Sequence, residues 1–280
     1  MSLKEHSTHE EIKELVRIAT GQGPAIPNNA NLINCAHYIT NGHWTATSIR
    51  FFSFPAENPG NDPSLLSTAL PLLLATLAVH INRYGRFLLE TDDDTRKLVL
   101  KILKSSGKYK IDQEEKWDTI LIFFMDDDQC MELIETRLDL PDGYIYSNAN
   151  LEDDLMTIHA TWPFGSIIDI GVSRERLKQL PHSCVKTSAG ELAGWELSHP
   201  FGYVSHLHVL TEHRERGLGP LTELKLLQDY AISGMRPIKF IDGRNEKVNK
   251  GTSRSPLWTQ WKHSDGRPVQ WTFTVLTPTA

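Results

Sequence analysis

The stretch Thr119–Met125, TILIFFM, constrains the fold more than any other. A strand with one wet face alternates apolar and polar residues, whereas this one is apolar at consecutive positions. It therefore reads as a strand buried on both faces. Such a strand needs a packed layer above and another below. The surrounding pattern supplies them, because strands alternate with helices along the chain and argue for an α/β layer structure. Ahead of TILIFFM the pattern predicts a helix at Thr8–Thr20 ended by Gly21 and Gly23, and a strand at Thr45–Phe54 closed by Pro55. An apolar helix within Leu65–Ile81, a strand at Gly85–Glu90 and a helix at Thr95–Ser105 follow.

Behind it come a helix at Gln129–Leu138 and a connector at Leu138–Asn150. The second half reads as helices at Leu151–Thr161 and Arg174–Gln179, then strands at Ser183–Thr187, Leu192–Leu197 and Tyr203–Leu210. A helix at Leu218–Ser233, a strand at Pro237–Ile241, a helix near Glu246–Lys250 and late strands around Trp258–Trp261 and Val269–Val275 complete it. The 280 residues fit two domains, at ~150 residues per domain. The expected division is 1–145 and 146–280.

Charge and cysteine usage narrow the function classes. A net charge of −6 gives no overall basic field for nucleic acid or an anionic membrane. Cys35, Cys130 and Cys184 are odd in number and far apart, so neither a disulfide framework nor a four-cysteine zinc site is expected. The N-terminus, rich in Glu5, Glu10, Glu11 and Glu14, matches neither a signal peptide nor a transit peptide. Leu65–Ile81 carries Pro71 and His80 and falls short of the ~20 apolar residues of a span, so it reads as a buried helix. A cytoplasmic protein is expected. The triplets Asp92–Asp94 and Asp126–Asp128 each precede a helix, where carboxylates cap N–H groups and favour the positive end of the dipole; that reading is preferred to a metal site.

The most informative segment is Tyr203–Leu227, YVSHLHVLTEHRERGLGPLTELKLL, a strand that enters a glycine turn and opens into a helix. The turn holds Arg214-x-x-Gly217-x-Gly219. Glycines let a backbone approach a diphosphate closely, and first-turn N–H groups lack intrahelical partners and point outward. Arg214 and Arg216 add cationic donors, and Pro220 fits the first helical turn. Neither a P-loop nor GxGxxG is present. His206 and His208, at i and i+2, face one side of the strand. With His213 they lack an evident fourth zinc ligand, so they read as core or cleft-lining residues.

The strand HLHVL, the turn TEHRERGLG and the helix behind it resemble the acyl-CoA signature of the GNAT acyltransferase superfamily. GWELSHPFGYVSHLHVLTEHRERGLG is similar to its glycine N-acyltransferase branch, as are LEDDLMTIHATWPFG and Asn245-Glu246 after a strand. The resemblance covers about the last 130 residues; the first half matches in length and α/β character alone. It implies a GNAT-like mixed, mostly antiparallel sheet flanked by helices, in two tandem halves with the N-terminal one degenerate. It also implies a strand that splays from its neighbour to admit acetyl-CoA or another acyl-CoA, with no metal.

Carried over by position, His208, Val209 and Leu210 would present backbone groups to the pantetheine arm and thioester. Arg214, Glu215, Arg216, Gly217, Leu218 and Gly219 would cradle the pyrophosphate, and Asn245 would either hydrogen-bond the CoA arm or cap its helix. Glu212 matches the glutamate of the family's PEYR-like motif and would be the general base. His213 replaces the usual aromatic and could share that role. The tyrosine that often serves as general acid is missing from Asn245–Gly251, so that role is left open.

The function so implied is N-acyl transfer from acyl-CoA to the amine of a small molecule or amino acid, glycine-like, by direct attack. Acylation of a protein N-terminus or lysine, and a non-catalytic CoA-binding or interaction protein, are the alternatives. No nucleic acid or membrane partner is expected. The family also allows a mitochondrial location, although no transit peptide is evident.

Overall fold

The computed structural model describes residues 87–111, 120–163 and 170–279, with Glu10, Glu11 and Pro71. The elements predicted at Thr8–Thr20, Thr45–Phe54 and Leu65–Ile81, and Cys35, otherwise lie outside the described residues. In chain order the elements are β1 (Phe87–Asp92), α1 (Asp93–Ser106), β2 (Tyr109–Ile111), β3 (Ile120–Phe124), α2 (Asp127–Glu135) and β4 (Tyr144–Ser147). Then follow α3 (Leu155–Thr161), α4 (Ile170–Gln179), β5 (His182–Thr187), β6 (Leu192–Ser198) and β7 (Val204–Val209). The chain ends with α5 (Leu218–Ile232), β8 (Ile238–Asp242), α6 (Glu246–Arg254), β9 (Thr259–Gln260) and β10 (Gln270–Pro278).

The strands form one sheet in the order β1-β10-β3-β8-β7-β6-β5-β4, with β2 beside β10 and β9 beside β3. Every pairing is antiparallel except β7 with β8, which run parallel. TILIFFM supplies β3, and both of its faces are covered as its sequence requires. Ile120, Ile122 and Phe124 pack with Tyr203, Ile238 and Trp271, while Phe123 joins Leu226, Leu227 and Tyr230 on the other side.

Helix α5 buries the stripe Leu218, Thr222, Leu226, Leu227 and Tyr230, the i, i+4, i+8 spacing of one helix face. With α2 it forms one layer over the sheet. Helices α3 and α4 cover the other side of β5 and β6 through Leu155, Ile158 and Leu177, which pack on Cys184, Trp195 and Leu197. Cys184 is fully buried, and burial pushes its thiol up to about 12, so it behaves as a small core residue. Asp126 caps α2 in a reciprocal box: it accepts from the Gln129 N–H, and the Gln129 side chain accepts from the Asp126 N–H, both at 2.9 Å.

Two placements go beyond the sequence pattern. The predicted connector contains strand β4, which pairs with β5 from Tyr144↔Thr187 to Ser147↔Cys184 after a turn at Gly143 (φ 87°). The C-terminal β10 runs back to lie between β1 and β3. No helix among the described residues is long and apolar enough to cross a membrane.

Candidate acyl-donor cleft

The cleft begins where β7 and β8 part. They pair at one register position, Val204 opposite Lys239, while β8 is held by β3 over five positions and β7 by β6 up to Val209. Beyond Val204, β7 therefore presents a strand edge inside the sheet, with backbone groups facing the gap. A bulge bends it there. The register of β6 against β7 shifts between Trp195 and Leu197, and His206 sits at φ 66°, the left-handed conformation of an extra residue in a bulged strand. At the far end Gly194 lets β6 approach closely, since a Cβ there would meet the His208 carbonyl oxygen at 3.1 Å.

The chain leaves β7 through a short 3₁₀ turn, Thr211–His213. The next residues fold into a cradle because two of them are left-handed, Glu215 (φ 62°) and Gly217 (φ 76°). Gly217 is the N-cap of α5, and no side chain caps the helix, which leaves the first-turn N–H groups for an outside acceptor. A Cβ at Gly217 would meet no protein atom within 4 Å, so the space in front of the turn is open. An anion fits this donor set: the first-turn N–H groups of a helix N-terminus without a side-chain cap, and the exposed Arg214 and Arg216. Arg214 also braces the turn, its Nε donating to the Val209 carbonyl at 2.9 Å.

The sequence-predicted residues distribute as follows. Arg214, Glu215, Arg216, Gly217, Leu218 and Gly219 come together as the cradle. His208 and Val209 line the end of β7. Leu210 has both backbone groups engaged within the protein, its N–H with Ala193 and its carbonyl with the His213 N–H, each at 2.9 Å. Glu212 is exposed in the 3₁₀ turn. The His213 ring is anchored by Tyr144, whose hydroxyl lies 3.0 Å from Nδ1. Asn245 caps α6, accepting from the Val248 N–H at 3.3 Å.

His206 and His208 both meet Trp195, His206 edge-on and His208 stacked at 5.0 Å. Burial, then Arg176, His208 and His159, holds His206 down at about 3. Burial and Arg214 lower His208 as well. Both are neutral rings on the α3/α4 face. Among the described residues no group of three or more His, Cys, Asp or Glu side chains could hold a metal ion.

No family model matches the chain, and no curated protein does. Among solved structures, a Drosophila protein determined by a structural genomics consortium is 15% identical, with a TM-score of 0.69 over 97% of each chain. A tandem GNAT protein from the clavulanic acid biosynthesis pathway, solved without acetyl-CoA, is 13% identical, with a TM-score of 0.53 over 97% of this chain and 94% of its own. The chain has a tandem GNAT fold. The mixed, mostly antiparallel sheet flanked by helices and the two-half arrangement both agree with the sequence expectation.

Within this GNAT fold lies a charged group that sequence reasoning missed. At the vertex of the cleft, on the α5 face, Lys239 of β8 forms a buried ion pair with Glu223 of α5, and its Nζ sits 4.3 Å over the Trp258 ring. Glu196 of β6 is 3% exposed, and its Oε2 has no hydrogen-bond partner. Burial and the Glu223 carboxylate push Glu196 well above the usual carboxylate range, against the opposing pull of Lys239. The one sequence signal was a glutamate in the otherwise apolar strand LAGWELS.

Proposed function

We propose that the protein is an acyl-CoA-dependent N-acyltransferase whose acceptor is the amine of a small molecule or amino acid, similar to the glycine N-acyltransferase branch. The observation that carries this reading is the juxtaposition of a strand edge, opened at Val204↔Lys239, with an uncapped helix N-terminus behind Gly217. One feature suits an extended chain with an acyl end; the other suits a diphosphate. Acyl-CoA has both and supplies the activated carbonyl.

In this reading Arg214, Arg216 and the N–H groups of 215–219 hold the pyrophosphate, and the backbone of His208 and Val209 aligns the pantetheine arm. The amine nitrogen attacks the thioester carbonyl, a C–N bond forms, and the C–S bond breaks with its electron pair on the leaving thiolate. Glu212 takes the ammonium proton, and His213, oriented by Tyr144, flanks it. Residues 146–280 carry this chemistry. Residues 1–145 complete the acceptor side, and the site of action is cytoplasmic.

The test is thiol release from acetyl-, benzoyl- and longer acyl-CoA against a panel of amines, amino acids and peptides. Acyl-CoA binding without free thiol from any acceptor would refute the enzymatic reading. Glu212→Gln should lower kcat about 10²–10⁴-fold, the range for loss of a general base, with acyl-CoA affinity retained; unchanged kcat removes Glu212 from the role.

A further inference from the structure

We propose that Glu223 and Lys239 form a buried pin that fixes how far β8 stands from β7, and that they act as positioning residues for the cleft. The functional meaning of the pin rests on the acyl-donor reading above; the pin itself is a claim about the fold.

The backbone alone leaves the opening angle weakly determined. β7 and β8 share a single register position, Val204↔Lys239. Past it, β8 is tied to β3 and β7 to β6, so each wall of the cleft belongs to a different side of the sheet. Side chains at the vertex must then hold the two sides together. Lys239 stands at that register position, and its side chain runs into the α5 face to reach Glu223 and the Trp258 ring. Helix α5 in turn packs across β6 and β7. The pair thereby ties β8 to the helix that rests on β6 and β7, across the point where the strands splay.

Glu223 lies on the helix whose N-terminus is the phosphate cradle. It stands six positions beyond Gly217, about 9 Å along the axis at 1.5 Å per residue. One ion pair therefore sets both the wall at β8 and the height of the cradle at Gly217. The composition of the cluster supports a geometric role over a stabilising one. Burying an ion pair costs desolvation that its attraction only roughly repays, and apolar replacements of the same volume are often neutral or stabilising. A salt bridge is directional and of fixed length, and here it spans the one point where the angle is decided.

The test is the double variant E223L/K239M, which removes both charges and strands neither. Thermal unfolding, hydrogen exchange of the β7 and β8 amides without ligand, and calorimetric affinity for acetyl-CoA are measured beside the wild type. The expected result is a Tm close to wild type, with amides of 205–209 and 240–242 exchanging at least about tenfold faster, a local loosening rather than global unfolding. Acetyl-CoA affinity should fall by about tenfold or more. K239R, which keeps the cation and its partner, should restore slow exchange. Wild-type exchange in the double variant overturns the pin. If that variant loses its cooperative melt, the neutral pair E223Q/K239Q replaces it, and failure of both to fold also overturns the assignment, since the cluster would then be a folding requirement. A wild type that shows no acetyl-CoA affinity refutes the acyl-donor reading alone, because the exchange comparison stands without ligand.

Discussion

Replacing Gly219 with alanine separates the phosphate cradle from every structural role the turn could have. Gly219 is the second residue of α5 and has an ordinary negative φ. An added Cβ would meet the Val209 Cγ2 at 3.7 Å, a normal van der Waals contact. Nothing in the protein opposes the methyl group. Alanine is preferred to glycine in helices by about 0.5–1 kcal/mol, so Gly219→Ala should leave Tm unchanged or raise it by about 1–3 °C. Its effect on a bound diphosphate runs the other way. The methyl group projects from the first turn, beside the N–H groups that the cradle reading assigns to phosphate oxygens. Loss of one charge-assisted hydrogen bond costs about 1.5–3 kcal/mol, or about 10- to 150-fold in Kd.

Gly217→Ala supplies the contrast. At φ 76° with open space around it, it pays about 1–2 kcal/mol of left-handed strain, and Tm should fall along with affinity. Gly107→Ala is the control, with φ 65° and equally open space on the turn between α1 and β2; it should lose stability and keep affinity. Calorimetric titration with CoA and thermal melts of the three variants give the full set. A Gly219→Ala protein that melts like the wild type and binds CoA equally well would refute the cradle, since neither strain nor unfolding could then conceal the effect.

Two pH measurements probe the buried groups. Glu196 has a folded value raised above 4.5, so above pH 4.5 the native state binds more protons than the unfolded one, and stability falls as pH rises toward the folded value. Glu196→Gln should flatten that fall above pH 4.5 in a series of thermal melts, and parallel curves for the two proteins would count against a raised Glu196 carboxyl. His206, held at about 3, should show imidazole nitrogen shifts that do not titrate between pH 8 and 5. The unfolded state gains a proton below about 6.5 and the native state does not, so stability drops as pH falls through this window; a His206 midpoint near 6 would contradict its burial.

The parts of this protein that could be read from sequence are those whose causes are local. TILIFFM announces its own burial because consecutive apolar residues satisfy two faces at once, and Ile122 and Phe123 are indeed fully buried. Asp126 announces a cap through Gln129, three residues on. The glycine turn is legible for the same reason: Gly217 sits at φ 76°, a conformation that favours glycine, so the spacing of the motif is itself a record of backbone shape. Where partners are distant, the sequence is silent. Tyr144–Ser147 carries too few residues between turn formers to signal a strand and becomes one through β5. β10 finds its place between β1 and β3 through pairings that span most of the described chain.

The candidate site divides along the same line. In the proposed function the diphosphate contacts come from residues 214–219, a continuous segment. The proposed pin joins Glu223 and Lys239, which lie on two elements and meet only in the folded sheet. Lys239 gives no local signal of its role because Glu223 lies 16 residues away on another element. This split has a physical consequence. Anion affinity of the cradle can survive changes in the vertex that leave α5 intact, whereas alignment of an acyl carbonyl along β7 cannot, because it depends on where β8 stands. Free pyrophosphate and acetyl-CoA should therefore respond differently to the E223L/K239M variant: the anion keeps most of its affinity through the local turn, and the full thioester loses more because it must also fit between the walls.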